Sequence, residues 1–249
     1  MLSAKAPEGN AFKPFWKMYS GQDVADEARE KAYKEFEEAQ RGPWRTQDHA
    51  EVAAWIKQND KALDLAVEAS KRPRFYLPLI SDARPPSLID AADISLTSEL
   101  RAAAKALVAR ALLMAGEGDV AAAHADLMAV HRLARLGAQQ PFLIDALVAI
   151  ADDALANKAH EAVLQRGALT ATQAKAALAD ISALPPLSPM ARAVDEGERA
   201  FMLDSLMVYF RFPSFGDLVA RLRADEEIPA ILTPRSEEHT SELQSPNTI

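Results

Sequence analysis

Apolar residues recur at intervals of three and four positions along most of the chain, which is the spacing of amphipathic helices. Their density is highest in 97–167, where Gly116-Glu117-Gly118-Asp119 and Gln140-Pro141 divide the apolar runs into three long helices. This pattern predicts an all-α protein with a single domain. We expect 97–167 to be its packed centre and the flanking segments to be layers added to it.

Residues that start and stop helices place the elements of this centre. Asp119 stands where an N-cap is needed, Gly167 where a helix ends, and Thr170 and Gln173 have capping-box spacing. Pro141 stands where a first helical residue is expected. The predicted helices span 97–115, 119–136, 141–166, 170–184 and 189–210, with a last short one at 215–224.

The third of these helices has the most apolar sequence. From Phe142 to Ala151 only Asp145 interrupts the apolar run, so this helix is predicted to be the most buried one. A carboxylate buried there needs a partner, either an arginine or a backbone N–H group.

The N-terminal part predicts smaller helices. Asp48 and Glu51 have capping-box spacing before a short helix, and further helices are expected at 23–41, at 60–70 and around Leu88-Ile89. An apolar stripe at helical spacing near the start predicts one more helix that docks onto the core; its residues are Phe12, Phe15, Trp16 and Tyr19.

The chain is expected to divide into an N-terminal helical lead at 1–46, a helical domain at 47–234 and a polar tail at 235–249. The tail has a single Leu and no periodicity, so it cannot bury enough area to order itself. Its run from Arg235 to Ser245 resembles the in-frame translation of a sequencing adapter. That resemblance implies that the tail is an artefact and that the natural protein continues beyond Pro234.

A proline-rich segment interrupts the helices at 72–78. Its prolines force the preceding residues to extend, so we expect an extended strap. One interpretation is that Phe75 and Tyr76 fill a groove between helices. The other is that Lys71, Arg72 and Arg74 bind an anion or a nucleic-acid strand beside these aromatic rings.

The stretch 112–123, with its Gly-Glu-Gly-Asp turn between alanine-rich helices, is similar to the loop and second helix of a tetratricopeptide-type repeat. The nearest echo lies about 51 positions on, at 162–170, and its helices are longer than a repeat of roughly 34 residues allows. The resemblance implies an array of antiparallel helical hairpins, degenerate and tetratricopeptide-like.

A second resemblance covers about 50–204. The segments 59–78, 109–136, 140–153 and 184–204 look like a family of proteins from planctomycete-type bacterial genomes. That family has no established activity, so it implies no catalytic residues. Its members carry an N-terminal hydrophobic segment and a longer C-terminus, which implies truncation at both ends and a membrane anchor or envelope location for the intact bacterial protein. Without this resemblance we expect a cytoplasmic location.

Composition removes several classes of function. The net charge of −8 argues against a nucleic-acid or anionic-membrane binder, because both need a positive field. The absence of cysteine excludes disulfides, thiolate metal sites and a cysteine nucleophile. No phosphate loop, dinucleotide fingerprint or paired metal motif occurs, so neither a cofactor nor a metal is expected.

The histidines carry little signal in the sequence. His124 and His131 are seven apart, whereas metal ligands on one helix are usually three or four apart, so partial exposure is expected for both. Four residues of the next helix, Asp152, Asp153, His160 and Glu161, are expected at the surface, because a contact between His160 and a carboxylate would need a second helix.

The strongest candidate site is a charged cluster in the helix 189–210. Asp195, Glu198 and Arg199 share a face through spacings of three and four. The two carboxylates could act as acid and base or hold a hard cation, but a structural ion-pair network that links this helix to the central ones explains the same residues. Gly197 between them predicts a close helix crossing.

The sequence therefore predicts a non-enzymatic helical scaffold or protein-interaction module with a protein or peptide partner. Its candidate binding residues are Asp195, Glu198 and Arg199, with Arg72 and Arg74 on the strap. The alternative is a fragment of a helical hydrolase or metal-dependent enzyme that uses Asp195 and Glu198. The two differ in geometry: the enzyme needs both carboxylates in a deep pocket with His124 or His131.

Overall fold

The computed structural model describes residues 26–82, 86–92, 95–167, 169–210 and residue 216, and the regular structure in these ranges is helical. The predicted all-α class is therefore confirmed. The α-helices are α1 (Asp26–Glu38), α2 (Ala50–Gln58), α3 (Asp60–Ser70), α4 (Leu88–Ala91), α5 (Ser95–Glu117), α6 (Val120–Gly137), α7 (Leu143–Gln165), α8 (Ala171–Ser182), α9 (Met190–Arg192) and α10 (Arg199–Phe210), with a π-helical segment, Ala193–Glu198, between α9 and α10.

Helices α5, α6 and α7 form the centre of a first compact unit, Met1–Phe201. Each of the three packs on the other two, α2 packs on α5, and α3 packs on both α5 and α6. The side chains most completely buried come mainly from α5 and α6, including Leu107, Leu112 and Leu127. A second unit, Met202–Ile249, contains the rest of α10. The predicted domain limits at 46/47 and 234/235 stay predictions.

Several predicted helix ends are found in the structure. Asp119 caps α6 by accepting a hydrogen bond from the Ala122 backbone N–H at 3.0 Å. Thr170 and Gln173 form a complete capping box at α8. Gly167 follows α7 with φ +68°, a left-handed conformation that glycine adopts without strain.

Three predicted helix starts are wrong. Asp48 does not cap α2: its carboxylate accepts from the Arg45 backbone N–H at 2.8 Å and closes a turn one step earlier. Pro141 precedes the N-cap of α7, which is Phe142. Thr97 lies inside α5, which begins at Ser95, and its hydroxyl donates to the buried Asp145 of α7.

The prediction that the 141–166 helix is the most buried one is also wrong. In the structure α6 buries twelve of its 18 residues, whereas α7 buries eight of its 23. An apolar sequence shows that a helix can be buried but not which side is covered, and α7 has an apolar surface turned outward.

Gly197 marks a close crossing, as its position in the sequence predicts. A Cβ added to it would lie 1.8 Å from the Pro141 carbonyl oxygen, so only glycine lets the π-helical segment reach the start of α7. Gly116 does the same inside α5, where an added Cβ would lie 1.7 Å from the Trp44 carbonyl oxygen. Gly116 thus serves packing, and the turn after α5 is made by Gly118 at φ +97°.

Three of the predicted elements fall outside the described residues, at least in part: the stripe Phe12, Phe15, Trp16 and Tyr19, the helix at 215–224 and the tail at 235–249. Within the described helices, none is both long enough and apolar enough to cross a membrane.

Candidate functional site

The predicted cluster at Asp195, Glu198 and Arg199 does not converge. Asp195 and Arg199 are exposed, whereas Glu198 turns inward and its Oε1 accepts from the Leu143 backbone N–H at 2.8 Å. Leu143 is the first residue of α7, so Glu198 caps that helix from another segment and its charge faces the positive end of the helix dipole. The carboxylate of Glu198 is therefore a structural cap.

The crossing beside Gly197 encloses a cavity of about 10 Å³, room for roughly one water molecule. It lies between the start of α7 and the π-helical segment, and Pro141, Arg192 and Glu196 are among its lining residues. His160 lies nearly five helical turns beyond Leu143 on α7, about 25 Å at 1.5 Å per residue. The structure therefore does not bring Glu198 together with the histidines.

The strap is held through its backbone. The Gln139 side-chain oxygen accepts from the Phe75 backbone N–H at 3.0 Å, and the Gln140 side-chain amide donates to the Phe75 carbonyl oxygen at 3.3 Å. Phe75 packs against the core, but Tyr76 is 82% exposed, so only one of the two aromatic rings fills a groove. Arg72 and Arg74 are exposed beside it.

One buried arginine ties three helices together, and the sequence reasoning missed it. Arg110 of α5 donates from Nε and Nη2 to the two carboxylate oxygens of Asp126 on α6, at 2.7 and 2.9 Å. Its Nη1 donates to Asp60 and Asp64 of α3, each at 2.8 Å. Burial alone would lower the pKa of Arg110, but the Asp126 carboxylate outweighs it and holds that pKa above its usual value. We call these four residues the arginine tie.

Two acidic residues of α7, Asp145 and Asp152, also face inward. Asp145 accepts from the Thr97 hydroxyl, and Asp152 accepts from the Arg101 guanidinium at 2.9 Å. Burial raises the pKa of Asp145 and raises the pKa of Asp152 to about 6, against the opposing charge of Arg101. The expectation that Asp152 lies at the surface is wrong. Asp145 also accepts from the Phe142 backbone, a partner of the kind that the sequence predicts, whereas the Thr97 hydroxyl was not predicted.

Three histidines meet where α6, α7 and α8 pack. His124 and His131 come from α6 and His160 from α7, and the His160 ring lies 5.4 Å from that of His124 and 5.5 Å from that of His131, centroid to centroid. His160 Nδ1 lies 3.1 Å from the Ala156 carbonyl oxygen, and its Nε2 lies 3.2 Å from His124 Nδ1. His124 Nε2 reaches Asp180 of α8 at 3.0 Å.

The other end of this cluster is held by an ion pair. His131 Nδ1 donates to Asp153 at 2.6 Å, and the same carboxylate oxygen accepts from Arg135 at 2.7 Å. Burial would raise the pKa of Asp153, but the bonds from His131 and Arg135 hold it below its usual value. Burial lowers the pKa of His131 and lowers the pKa of His160 to about 4, so both rings are neutral at pH 7. His131 Nε2 has no hydrogen-bond partner among the described residues. We call this set the histidine cluster.

The predicted partial exposure of His131 and the predicted surface position of His160 are both wrong, since His131 is 1% exposed and His160 is buried. One signal in the sequence could have shown the first. His131 stands four residues after Leu127, and so lies on the same apolar stripe of α6 that forms the core. The carboxylate contact from a second helix is made by His131, which reaches Asp153 of α7 from α6, whereas the sequence had considered it for His160.

The outward side of α7 is apolar over its first turns, 144–151. Ile144, Leu147 and Ile150 are 45%, 46% and 41% exposed, spaced three apart, while Asp145 and Asp152 on the same helix are buried. A helix that exposes its aliphatic residues and buries its carboxylates presents a surface of the kind that a partner covers. We call Ile144, Leu147 and Ile150 the α7 face.

Among the described residues, no three or more His, Asp or Glu side chains are arranged to hold a metal ion. Comparison with protein-family models, with curated proteins and with solved structures finds no match for the chain.

Proposed function

We propose that the chain is a non-enzymatic helical scaffold, a degenerate tetratricopeptide-like array of antiparallel hairpins, that binds an apolar helical segment of a partner protein on the α7 face. The observation that carries the proposal is the reversed polarity of α7, with three aliphatic side chains outside and Asp145 and Asp152 inside. Short connections support the hairpins, since only Gly118 and Asp119 separate α5 from α6.

The chemistry of the face defines the partner. Ile144, Leu147 and Ile150 extend over about 9 Å of helix axis, and the intervening outward positions, Val148 and Ala151, are apolar and half-buried. No charged side chain is exposed along this part of α7. An uncharged ridge of this length suits two turns of an amphipathic helix that lays down residues at spacings of three and four.

The small size of the face favours a transient partner. A stable interface buries roughly 800 Å² on each side, which is more than three half-exposed aliphatic side chains supply. We therefore infer a weak, exchangeable contact, with dissociation constants in the micromolar range or above, and a permanent homodimer on this face is disfavoured.

The test uses a fluorescein-labelled amphipathic peptide with leucines at spacings of three and four, titrated with the full chain and followed by anisotropy. Leu147→Glu should weaken binding at least tenfold, because it places a charge in the centre of the face. Leu65→Glu is the matched control: Leu65 is 70% exposed on α3 and should tolerate the same change.

Equal binding by the two variants would contradict the proposal, as would absence of binding by the unaltered chain. Light scattering over a range of concentrations covers a further outcome. Self-association that Leu147→Glu abolishes and Leu65→Glu preserves would assign the face to a second copy of the chain, and the partner proposal would then fail.

A further inference from the structure

His124 links three helices through its two ring nitrogens. From its position on α6, Nδ1 reaches His160 of α7 at 3.2 Å and Nε2 reaches Asp180 of α8 at 3.0 Å. The His160 ring is buried, whereas the Asp180 carboxyl is 59% exposed. His124 therefore lies between the buried His160, which water cannot reach, and the exposed Asp180, which water can solvate.

The partners of each ring nitrogen determine which nitrogens of His160 and His124 carry a hydrogen. A carbonyl oxygen only accepts, so His160 Nδ1 carries the hydrogen that it donates to Ala156. The buried His160 ring is neutral, so its Nε2 has a lone pair and must accept from His124 Nδ1. The Asp180 carboxylate also only accepts, so His124 Nε2 must carry a hydrogen too. Both bonds exist together only when His124 is an imidazolium ion.

The attachment of α8 to the centre is otherwise small. Ala177 is the buried residue of α8, and Leu178 next to it is 66% exposed. Beyond the end of the helix, Arg135 of α6 donates to the Pro185 carbonyl oxygen at 2.6 Å. The bond between His124 and Asp180 is thus the main polar contact that α8 makes along its own length with the rest of the described residues.

The charged and titratable groups around His124 come from each neighbouring helix. His160 of α7 and Asp180 of α8 contact His124 directly, and His131 of α6 stacks on His160, with Arg135 and Asp153 bound beyond it. Arg135 and His131 are already paired with Asp153. This leaves Asp180 as the carboxylate that compensates a charge on His124.

We propose that His124 is a proton-dependent clasp that holds α8 against α6 when its ring is doubly protonated and releases α8 when the ring loses a proton. Neutral His124 can donate only once. Keeping the bond to His160 costs least, because the exposed Asp180 carboxylate can turn to water whereas His160 cannot. The lone pair of His124 Nε2 would then face the Asp180 carboxylate. Both groups are acceptors, so the bond is lost and α8 is held less tightly against α6.

The test is hydrogen exchange with mass spectrometry on the full chain, reporting α8 protection at pH 6 and pH 8 after correction for intrinsic exchange rates. The protection of α8 should fall about tenfold from pH 6 to pH 8, the effect of one charge-assisted hydrogen bond. Protection of α5 and α6 serves as the internal control for the folded state and should not change in the same direction by that factor.

Two substitutions at one position separate the clasp from a general effect of pH. Asp180→Asn supplies an amide that can donate to neutral His124 as well as accept, so α8 should stay protected at pH 8. Asp180→Ala removes the contact, so α8 should be poorly protected at both pH values.

Either of two results would overturn the clasp: equal α8 protection of the unaltered chain at pH 6 and pH 8, or Asp180→Asn losing protection as Asp180→Ala does. A variant with lower protection throughout α5 and α6 is unfolded in part. In that case ¹⁵N shifts of the His124 ring in the unaltered chain decide, because two protonated nitrogens at pH 6 are required and any other state refutes the proposal.

Discussion

The arginine tie and the histidine cluster lie on opposite sides of α6 and solve the same problem by different chemistry. Arg110 presents fixed donors to Asp126, Asp60 and Asp64, and it keeps its charge at every pH at which the protein is folded. The histidine cluster uses rings whose donors depend on protonation, with His124 between Asp180 and His160. One helix thus carries one junction built on a permanent positive charge, beside an Asp126 carboxyl whose pKa burial raises, and another built on rings whose number of donors changes with protonation.

The largest expected effect comes from breaking the arginine tie. Arg110→Ala leaves the Asp126 carboxylate buried without its partner, and we expect the free energy of unfolding at pH 7 to fall by about 3–5 kcal/mol. Urea unfolding followed by circular dichroism measures it. The double variant Arg110→Leu, Asp126→Leu removes both charges and should recover most of the loss. A loss below about 1 kcal/mol for Arg110→Ala would show that the tie does not hold the centre.

A smaller effect, dependent on pH, is expected in the histidine cluster. Burial lowers the pKa of His160 to about 4, below its unfolded value of about 6.5, so the unfolded chain takes up a proton first as the pH falls. The stability that neutral His160 gives is fully present above pH 6.5 and is lost on acidification toward pH 4.

The measurement compares the unaltered chain with His160→Gln, whose side chain does not titrate. The stability advantage of the unaltered chain should shrink by about 2 kcal/mol between pH 7 and pH 5. If the stability difference between the unaltered chain and His160→Gln is the same at pH 7 and pH 5, the histidine cluster does not have the pH dependence described.

A second effect of pH concerns Asp152, which lies between α7 and α5. Burial raises the pKa of Asp152 to about 6, above its unfolded value, so the folded chain binds the proton more tightly and ionisation destabilises it as the pH rises through this range. Asp152→Asn should therefore stabilise the protein at pH 7.5 by up to about 3 kcal/mol, the equivalent of a shift of about two pKa units, with little gain at pH 4. Thermal unfolding at the two pH values measures this, and destabilisation at pH 7.5 would contradict it.

The sequence predicted the helices better than their environment. Asp119, Gly167 and the Thr170–Gln173 box act through the few residues beside them, and all three are where the sequence placed them. The burial of α7 depends on which elements cover it, and the period of its apolar residues does not contain that information. The apolar sequence of α7 predicts a helix buried in the core, but in the structure part of that apolar sequence is the exposed α7 face.

The candidate sites were harder to predict for a related reason. Asp195, Glu198 and Arg199 share a local spacing, but Glu198 is used by the N-terminus of α7, far along the chain. The arginine tie and the histidine cluster combine side chains separated by 16 to 56 positions, so no local motif marks them. Only the buried position of His131 could be inferred locally, from its place on the α6 stripe.

The glycine at position 116 has a consequence for the order of folding. Its missing Cβ makes room for Trp44, whose backbone N–H donates to the Leu112 carbonyl oxygen at 3.2 Å, and nearby Thr46 donates to Glu117 across 71 positions of sequence. Contacts between residues so far apart in sequence cost loop-closure entropy. They offset this cost only when the helix that they contact has already formed. The 42–48 segment should therefore settle late, onto an α5 that has already formed, and refolding should protect α5 before it protects this segment.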